Sequence, residues 1–392
     1  MSKRNVTSRR ETAGRKTLAV FFTFNVSLER WQQTGLLDRE LKLYLKMIEQ
    51  GWRVVFFTYG NAHDCDILKH EGLEIVPMLR GVPASAGPLR ALVQSFVSVL
   101  RHRRYLKSVD VIKSNQVIGS WLARFAAIIS GIPLLVRGGY EPLQFSQAKG
   151  ESILKRAIIS LTSRFSYRGA DEIMLATKQD KDFVARTYGI SPEKINVIGN
   201  WIDTDLFRPR AAEKFSTDTI FYIGRYDDQK NFPALVAAVA SKKLKLHIAG
   251  NCPPEVISLI EDAGIEYLNR GVVANDDLPD ILARYEIFCI PSFFEGNPKT
   301  LLEAMACGLT VVGSNGPGIA DILEQIEGSF ICGHDPQSIA SMLDEAQSAP
   351  ARRKQFGASA RAFIVAHHSL NAFIEEEGRI LTRLMRRQQT SE

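Results

Sequence analysis

The sequence predicts an α/β protein with two parallel β-sheets, one in each half of the chain. Two observations carry this prediction. Short apolar segments alternate with amphipathic segments along both halves, and a polar, proline-containing segment at residues 203–216 separates the two series. Strand–helix alternation implies parallel strands with helices covering both faces of each sheet. The chain has 392 residues, which is enough for two domains of ordinary size.

The first half contains six predicted strands and five predicted helices. Strands are predicted where β-branched and aromatic residues run together between turn signals, and helices where apolar residues recur every three to four positions. Gly51, Gly131 and Gly189 each follow a predicted helix, which is where a C-cap glycine belongs. The strands are residues 18–24, 53–58, 109–114, 134–137, 172–175 and 195–198, and the helices are residues 36–50, 89–106, 120–130, 153–167 and 178–188.

The second half repeats the alternation and ends in a helical tail. The same criteria predict three helices from about Pro336 onward, the last of them at residues 370–387. The strands before this tail are residues 219–223, 244–249, 287–290, 310–313 and 329–331, and the helices are residues 233–240, 255–262, 277–285, 299–307 and 319–324.

Composition places the protein among soluble globular chains. Hydrophobic residues make up 45% and charged residues 23%, which are ordinary values for such proteins. Five cysteines without a C-x-x-C spacing favour a reducing compartment. The N-terminal segment is charged and its apolar run is too short for a secretory leader, and no run reaches the length of a transmembrane helix. We therefore expect a cytoplasmic protein.

The net charge of +6 hides an asymmetry between the two halves. Residues 1–205 hold 30 Lys and Arg against 19 Asp and Glu, whereas residues 206–392 hold 19 against 24. A basic half indicates an anionic partner, either a membrane surface or a nucleic acid, or else a solvated basic surface. Nucleic acid is not expected, because aromatic residues do not interleave with the basic ones. Residues 89–106 and 153–168 combine apolar and basic side chains, which fits peripheral contact with an anionic membrane or core-facing helices with basic ends.

Two carboxylates eight positions apart, Glu295 and Glu303, mark the most informative segment. A predicted strand precedes them and the loop Gly296-Asn297-Pro298 follows the first. The carboxyl end of a parallel strand is where an open α/β sheet forms its ligand crevice. Because Pro298 interrupts a helix, we expect Glu295 on a loop and Glu303 in the next helix. The amides at that helix start, near Lys299, Thr300 and Leu301, would face an anion.

Three ordered elements resemble those of the group 1 retaining nucleotide-sugar glycosyltransferases, a family 4-like group with the GT-B fold. They are the E-x7-E pair just described, a G-R-x4-K element from Gly224 to Lys230, and an interdomain N-G-V-D-x3-F-x-P element seen here from Asn200 to Pro209. Together they cover the chain from about residue 195 to 325. The resemblance implies two Rossmann-like parallel-sheet domains facing a central cleft. Residues 1–205 would bind the acceptor, residues 206–367 would bind the donor, and a last helix at about 368–392 would pack back on the first domain.

The resemblance also implies roles for individual residues around a nucleotide-sugar donor. Arg225 and Lys230 would neutralise the diphosphate as it leaves, or would be solvated loop cations. Glu295 would contact hydroxyls of the sugar. With Arg225 and Lys230 it makes up the predicted catalytic set. The donor-binding set is Glu303 at the ribose together with Gly35, Gly224, Gly296, Asn297, Pro298, Lys299, Thr300 and Leu301.

Two positions depart from the family pattern. Gly35 ends the predicted loop 31–35 before the first helix, where the family has a pair of glycines, and it is otherwise an ordinary loop or N-cap glycine. The loop at residues 137–141 lacks the family histidine. Arg137, Gly139 and Glu141 are the acceptor-side candidates there, with Glu141 or a backbone carbonyl taking over the sugar contact.

The resulting expectation is a metal-independent hexosyltransferase that needs no cofactor. Adjacent pairs such as Asp227-Asp228 do not make the D-x-D spacing of a metal site. The acceptor would be a saccharide or a lipid-linked saccharide in cell-surface polysaccharide or glycolipid synthesis, on the inner face of the plasma membrane. Retention follows from the resemblance, and the residues alone leave inversion open. The alternatives are a nucleotide-sugar epimerase or phosphorylase on the same fold and, further off, a basic nucleic-acid-binding protein.

Overall fold

The chain forms two compact units. The computed structural model describes residues 15–82 and 87–389. Residues 1–14, part of the segment on which the absence of a leader was argued, lie outside this description. One unit comprises Met1–Ile198 with Ile374–Glu392, and the other comprises Gly199–Phe373. The division thus falls seven residues before the boundary expected at 205, and the last helix joins the first unit from Ile374 onward.

The first unit contains a seven-stranded sheet in which every strand pair is parallel. The strand order is β3-β2-β1-β4-β5-β6-β7, so the chain winds outward first on one side of β1 and then on the other. Its strands are β1 (Thr17–Phe21), β2 (Arg53–Thr58), β3 (Leu73–Pro77), β4 (Val111–Ser114), β5 (Leu134–Gly138), β6 (Glu172–Leu175) and β7 (Ile195–Val197).

In the part of this unit that the structure describes, nine α-helices connect these strands. The predicted helix at 89–106 is interrupted at His102, whose imidazole Nδ1 lies 2.8 Å from the carbonyl oxygen of Ser98. The helices are α1 (Leu28–Gln33), α2 (Leu37–Glu49), α3 (Asp64–Ile67), α4 (Pro88–Arg101), α5 (Arg103–Leu106), α6 (Ser120–Ser130), α7 (Pro142–Ala148), α8 (Ile153–Arg168) and α9 (Lys178–Tyr188).

The second unit contains a six-stranded parallel sheet of order β10-β9-β8-β11-β12-β13. The strands are β8 (Thr219–Ile223), β9 (Lys245–Ala249), β10 (Tyr267–Asn269), β11 (Ile287–Ile290), β12 (Thr310–Ser314) and β13 (Phe330–Cys332). The helices are α10 (Phe232–Ser241), α11 (Pro254–Asp262), α12 (Leu278–Leu282), α13 (Lys299–Ala306), α14 (Ala320–Leu323), α15 (Pro336–Ser348) and α16 (Pro350–His367), and α17 (Leu370–Gln389) follows them.

Both sheets bury near-continuous apolar strands, as parallel sheets covered on two faces must. All residues of β1, β4 and β11 are buried. The predicted α/β architecture with two parallel sheets is therefore confirmed. Sequence reasoning missed β3 and β10, which lie at the sheet edges and are largely half-buried or exposed, so their apolar pattern is weak.

The C-terminal helix α17 is held on the first sheet by buried charges. Lys113 in β4 forms an ion pair with Glu377 of α17, and both side chains are buried. Glu172 in β6 accepts two hydrogen bonds from Arg383, at 2.9 and 3.0 Å.

Among the described residues, no helix is both long enough and apolar enough to cross a bilayer.

Candidate functional site

The second unit brings the central candidates together at the carboxyl edge of its sheet. The loops after β8 and β11 meet there, because these strands are neighbours with Ile287 opposite Ile220. The Nζ of Lys230 lies 2.5 Å from Oε1 of Glu295. These side chains are 14% and 9% exposed respectively. A carboxylate and an ammonium group that sequence reasoning had placed in one site thus form a largely buried ion pair.

Gln229 connects the same two loops through its side-chain amide. Its Nε2 donates to the carbonyl oxygen of Phe294 at 2.8 Å and lies 3.5 Å from Oε2 of Glu295. The backbone N–H of Phe293 in turn donates to the carbonyl oxygen of Gln229 at 2.9 Å. These contacts fix the loop that carries Glu295 against the short 3₁₀ turn Asp228–Lys230. Gln229 therefore positions Glu295, a role that the sequence reasoning missed.

A second loop supports Glu295 from the side of β12. The backbone N–H of Glu295 donates to the carbonyl oxygen of Pro317 at 2.9 Å. Gly318 has a φ of +79°, and a Cβ there would lie 2.2 Å from the carbonyl oxygen of Glu295. Only glycine permits that approach at that backbone angle. The run Asn315-Gly316-Pro317-Gly318 is a strong turn signal and could have identified this loop from sequence.

Asn297 is held by the segment at which the second unit begins. The N–H of Asn200 donates to Oδ1 of Asn297 at 2.6 Å, and Nδ2 of Asn200 donates to its carbonyl oxygen at 2.7 Å. The carbonyl oxygen of Asn200 accepts a hydrogen bond from Nδ1 of His368 at 2.9 Å. Burial lowers the pKa of His368. Asn297 is thereby fixed one residue before the N-cap of α13.

The other donor-side candidates lie where the sequence placed them. Gly224 and Arg225 follow β8. The Arg225 side chain is 70% exposed, and its Nη1 lies 3.3 Å from Oδ2 of Asp227. Gly296 lies on the loop, and Pro298 is the N-cap residue of α13. This proline offers no side-chain acceptor to the first turn of α13, which contains Thr300 and Leu301.

Two residues of α13 occupy contrasting surroundings. Lys299 places its ammonium group 4.7 Å from the centre of the Trp201 ring, a cation–π contact. Glu303, one turn further along, is buried. The structure thus gives a loop position to Glu295 and a helical position to Glu303, which is the arrangement that the Pro298 break predicts.

In the first unit, Gly35 lies just before helix α2 (Leu37–Glu49), as expected, but a short helix precedes it. Residues 31–33 belong to helix α1, so the predicted loop 31–35 is wrong for these three residues. Ser27 caps α1, accepting a hydrogen bond from the N–H of Arg30 at 3.1 Å. Gly35 follows this helix with a φ of +68°, and a Cβ there would meet no described atom within 4 Å. The structure accounts for this glycine by its backbone angle.

The acceptor-side candidates lie at the carboxyl end of β5, which contains Arg137, and on the loop that follows it. Nη1 of Arg137 donates to the carbonyl oxygen of Asn115 at 3.3 Å, and the N–H of Gly139 donates to Oε1 of Gln116 at 2.9 Å. Both contacts join the carboxyl ends of β4 and β5. They place Arg137 and Gly139 at the sheet edge where ligands bind.

Glu141 is turned into the protein. It is fully buried and accepts a hydrogen bond from the Tyr188 hydroxyl at 2.9 Å. It also caps α7 through the N–H of Leu143. Burial raises the pKa of Glu141 to about 7. A carboxyl group so enclosed does not reach a sugar in this conformation, so its surroundings point to a structural role.

In the described part of the chain, no three or more His, Cys, Asp or Glu side chains group as a metal site would need.

Two parallel sheets of this topology fit the GT-B fold, and solved structures with that fold match nearly the whole chain. Sucrose-phosphate synthase from Thermosynechococcus elongatus has this fold, with a TM-score of 0.74, 17% identity and coverage of 94% of this chain and 99% of that one. The family model "Glycosyl transferases group 1" matches residues 203–363, and "Glycosyltransferase Family 4" matches residues 41–206. The chain belongs to the group 1 glycosyltransferases.

Curated relatives are similar over part of their length. D-inositol 3-phosphate glycosyltransferase 2 from Catenulispora acidiphila is 27% identical over 49% of this chain and 51% of its own length. From Campylobacter jejuni, N-acetylgalactosamine-N,N'-diacetylbacillosaminyl-diphospho-undecaprenol 4-alpha-N-acetylgalactosaminyltransferase is 30% identical over 41% of this chain and 45% of its own. The chain thus spans about half the length of these relatives.

Proposed function

We propose that this protein transfers a hexose from a nucleotide-diphospho-sugar to a saccharide or lipid-linked acceptor. The observation that carries the proposal is the Lys230–Glu295 ion pair at the carboxyl edge, where β8 and β11 lie side by side. The strand order reverses between these two strands, and such switch points are where open α/β sheets bind nucleotides. Family membership supports a glycosyl donor as the ligand of this site.

On this proposal each charged group contacts a different part of the donor. Arg225, which is largely exposed, binds the diphosphate bidentately, and Lys230 adds a second cation while it orients Glu295. An ammonium group has three donors, so it can serve a carboxylate and a phosphate together. Glu295 accepts hydrogen bonds from sugar hydroxyls, Glu303 accepts them from the ribose, and the first turn of α13 binds a phosphate. These cations supply the charge neutralisation that a metal would otherwise provide.

The proposed transfer proceeds with retention and without a protein nucleophile. The acceptor oxygen bonds to the anomeric carbon on the face from which the phosphate leaves. The bond between that carbon and the phosphate oxygen breaks, and the acceptor proton passes to the departing phosphate oxygen. The protein contributes orientation and electrostatic stabilisation of the leaving group.

A lipid-linked acceptor is supported by charge and by one relative. The relative from Campylobacter jejuni carries diphospho-undecaprenol in its name, and the first half of this chain is strongly basic. Basic surfaces are attracted to anionic leaflets. We place the protein at the cytoplasmic face of the plasma membrane, in peripheral contact through its first unit, in the synthesis of a cell-surface polysaccharide or glycolipid.

Thermal stabilisation by a panel of UDP-, GDP-, ADP- and TDP-sugars tests the donor site. A ligand that binds the native state raises the melting temperature by mass action. We expect one base class to do so, with the shift lost in Arg225→Ala. Lys242→Ala is the matched control. Like Arg225, Lys242 pairs with an aspartate, Asp344, but it follows α10, whereas Arg225 and the candidate site precede that helix. No shift with any nucleotide sugar at millimolar concentration, or an equal loss in both variants, would contradict the proposal.

A further inference from the structure

The first unit contains an apolar cavity that the donor site does not use. Its volume is about 660 Å³, within the range of small-molecule pockets. Helices α4, α6 and α8 frame it, together with the loops after β1 and β4. The side chains that give it its apolar character include Phe24, Leu92, Phe96, Trp121, Leu154 and Ile158.

The cavity lies at the carboxyl edge of the first sheet. Phe24 follows β1 and Ile118 follows β4, and the N–H of Phe24 donates to the carbonyl oxygen of Ile118 at 3.2 Å. The Phe24 ring lies 5.6 Å from that of Trp121, and Phe96 packs against Phe125 at 5.0 Å. Ligands of open α/β sheets bind at this edge. The cavity is therefore placed for a substrate of this unit.

Its outer wall remains exposed although it is apolar. Leu154 is 72% exposed and Ile158 is 55% exposed, and both line the cavity from helix α8. Contiguous exposed apolar surface often marks a binding site, and these two side chains share the wall of one cavity. An apolar occupant would cover these side chains and remove them from water.

The three helices that frame the cavity carry basic side chains and no acidic ones, and one of the basic side chains, Lys155, lines the cavity itself. Helices α4, α6 and α8 carry seven Lys and Arg residues, and their sequences contain no Asp or Glu. Glu151, just before α8, is neutralised by Lys155 at 2.6 Å and accepts from Ser146. An apolar cavity with a cationic frame complements a molecule with a hydrocarbon chain and an anionic head. A planar leaflet would lie on the outer face of α8 and leave the aromatic interior unfilled.

We propose that this cavity binds the hydrocarbon chain of a polyprenyl diphosphate that carries the acceptor saccharide. The inference rests on the proposed function and names the acceptor's lipid. Water occupies about 30 Å³ per molecule in the liquid. Because a methylene group is of similar size, the cavity has room for about twenty carbon groups. The basic helices then hold the diphosphate at the sheet edge, beside the end of β5, where Arg137 and Gly139 lie.

Titration with geranylgeranyl diphosphate, kept below its micelle concentration, tests the inference through intrinsic tryptophan fluorescence, because Trp121 is the tryptophan among the described residues that line the cavity. Ile158→Glu puts a charge in the cavity. Ile128→Glu is its control, because Ile128 is equally exposed at 54% on α6 and is not among the described residues lining the cavity. We expect saturable binding that is at least about tenfold weaker in Ile158→Glu and unchanged in Ile128→Glu, whereas inorganic diphosphate produces no such signal.

Three results would overturn the inference. Equal weakening in both variants would mean that the whole apolar face, as on a membrane surface, and not the cavity binds the lipid. An equal response to inorganic diphosphate would mean that only an anion is recognised. Because the titration needs no sugar donor, lipid binding without any transfer would sink the proposed function and leave the cavity assignment standing. Donor-dependent transfer to soluble acceptors without lipid binding would contradict the cavity assignment and leave the proposed function standing.

Discussion

Gly318 and Glu295 approach so closely that a methyl group on the glycine would lie 2.2 Å from the glutamate's carbonyl oxygen. The same substitution would lie 2.5 Å from the carbonyl oxygen of Gly296. The backbone of the loop after β12 thus packs directly against the backbone of the Glu295 loop and constrains its conformation. The position of the carboxylate depends on a residue 23 positions further along the chain.

Gly318→Ala is expected to reduce both stability and transfer. The alanine must adopt a positive φ, at a cost of about 1–3 kcal/mol, and must also displace the Glu295 backbone. Gly264→Ala is the control, because Gly264 has a φ of +68° with no described atom within 4 Å of an added Cβ. Calorimetry and kcat should show a larger stability loss in Gly318→Ala, and a loss of kcat in that variant alone. Equal effects in the two variants would show that the contact is unimportant.

Lys230→Met should impair transfer far more than it impairs folding. Removing a cation aimed at developing negative charge lowers kcat by about 10²–10³, and leaving Glu295 without its partner costs about 1–3 kcal/mol. Lys245→Met removes an exposed pair with Glu266, worth at most about 1 kcal/mol, and serves as the control. Steady-state kinetics with unchanged kcat in Lys230→Met would remove this lysine from the catalytic set.

The sequence predicted the fold well because the information is local. Buried parallel strands are apolar throughout, and their helices repeat every three to four residues, so the alternation is legible without any knowledge of contacts. The edge strands β3 and β10 escaped because edge positions are partly exposed and their residues need not be apolar. The short helix α1 escaped because six residues give less than two turns of periodicity.

The candidate site was predictable only where its signals were local. Glu295, Pro298 and Glu303 lie within nine consecutive residues, and the proline alone separates loop from helix. The bonds that fix Asn297 join residues 97 positions apart, and the contact of His368 with Asn200 spans 168 positions. No spacing rule connects such residues. For Glu141 the sequence showed a carboxylate in a loop but gave no sign that tertiary packing buries it.

Burial of Glu141 makes the first unit less stable as pH rises. Its folded-state pKa of about 7 lies above the ordinary value of 4.5, so the folded unit binds the proton more tightly than the unfolded chain. The corresponding stability is fully present below pH 4.5 and is lost as pH rises through 7. At 1.36 kcal/mol per pKa unit, the loss is on the order of 3 kcal/mol.

Glu141→Gln should remove this dependence. The amide keeps an acceptor for Tyr188 but cannot ionise. The free energy of unfolding of the variant, measured relative to that of the wild type, should therefore increase from pH 5 to pH 8. Urea unfolding of both proteins at the two pH values measures the difference, and other titrating groups cancel in the comparison. An advantage of the variant that is the same at pH 5 and pH 8 would show that Glu141 does not titrate in this range.

Replacing one residue of the buried Lys113–Glu377 ion pair should destabilise the protein more than replacing both residues. Burial lowers the pKa of Lys113, and its ammonium group also lies 5.4 Å from the centre of the Tyr44 ring. Lys113→Met would leave the Glu377 carboxylate buried without a cation, which costs about 3–5 kcal/mol. The double variant Lys113→Met/Glu377→Met removes both charges at similar volume and should recover most of that loss.

Arg383→Ala provides the contrast. Arg383 is partly exposed, and Arg387 lies 3.0 Å from the same Glu172 oxygen, so the carboxylate keeps a cation and the loss should be no more than about 1 kcal/mol. Calorimetric unfolding of the wild type, Lys113→Met, the double variant and Arg383→Ala then compares how much the buried ion pair and the partly exposed arginine stabilise the packing of α17. If the double variant is no more stable than Lys113→Met alone, the two side chains stabilise the first unit through contacts other than their mutual charge.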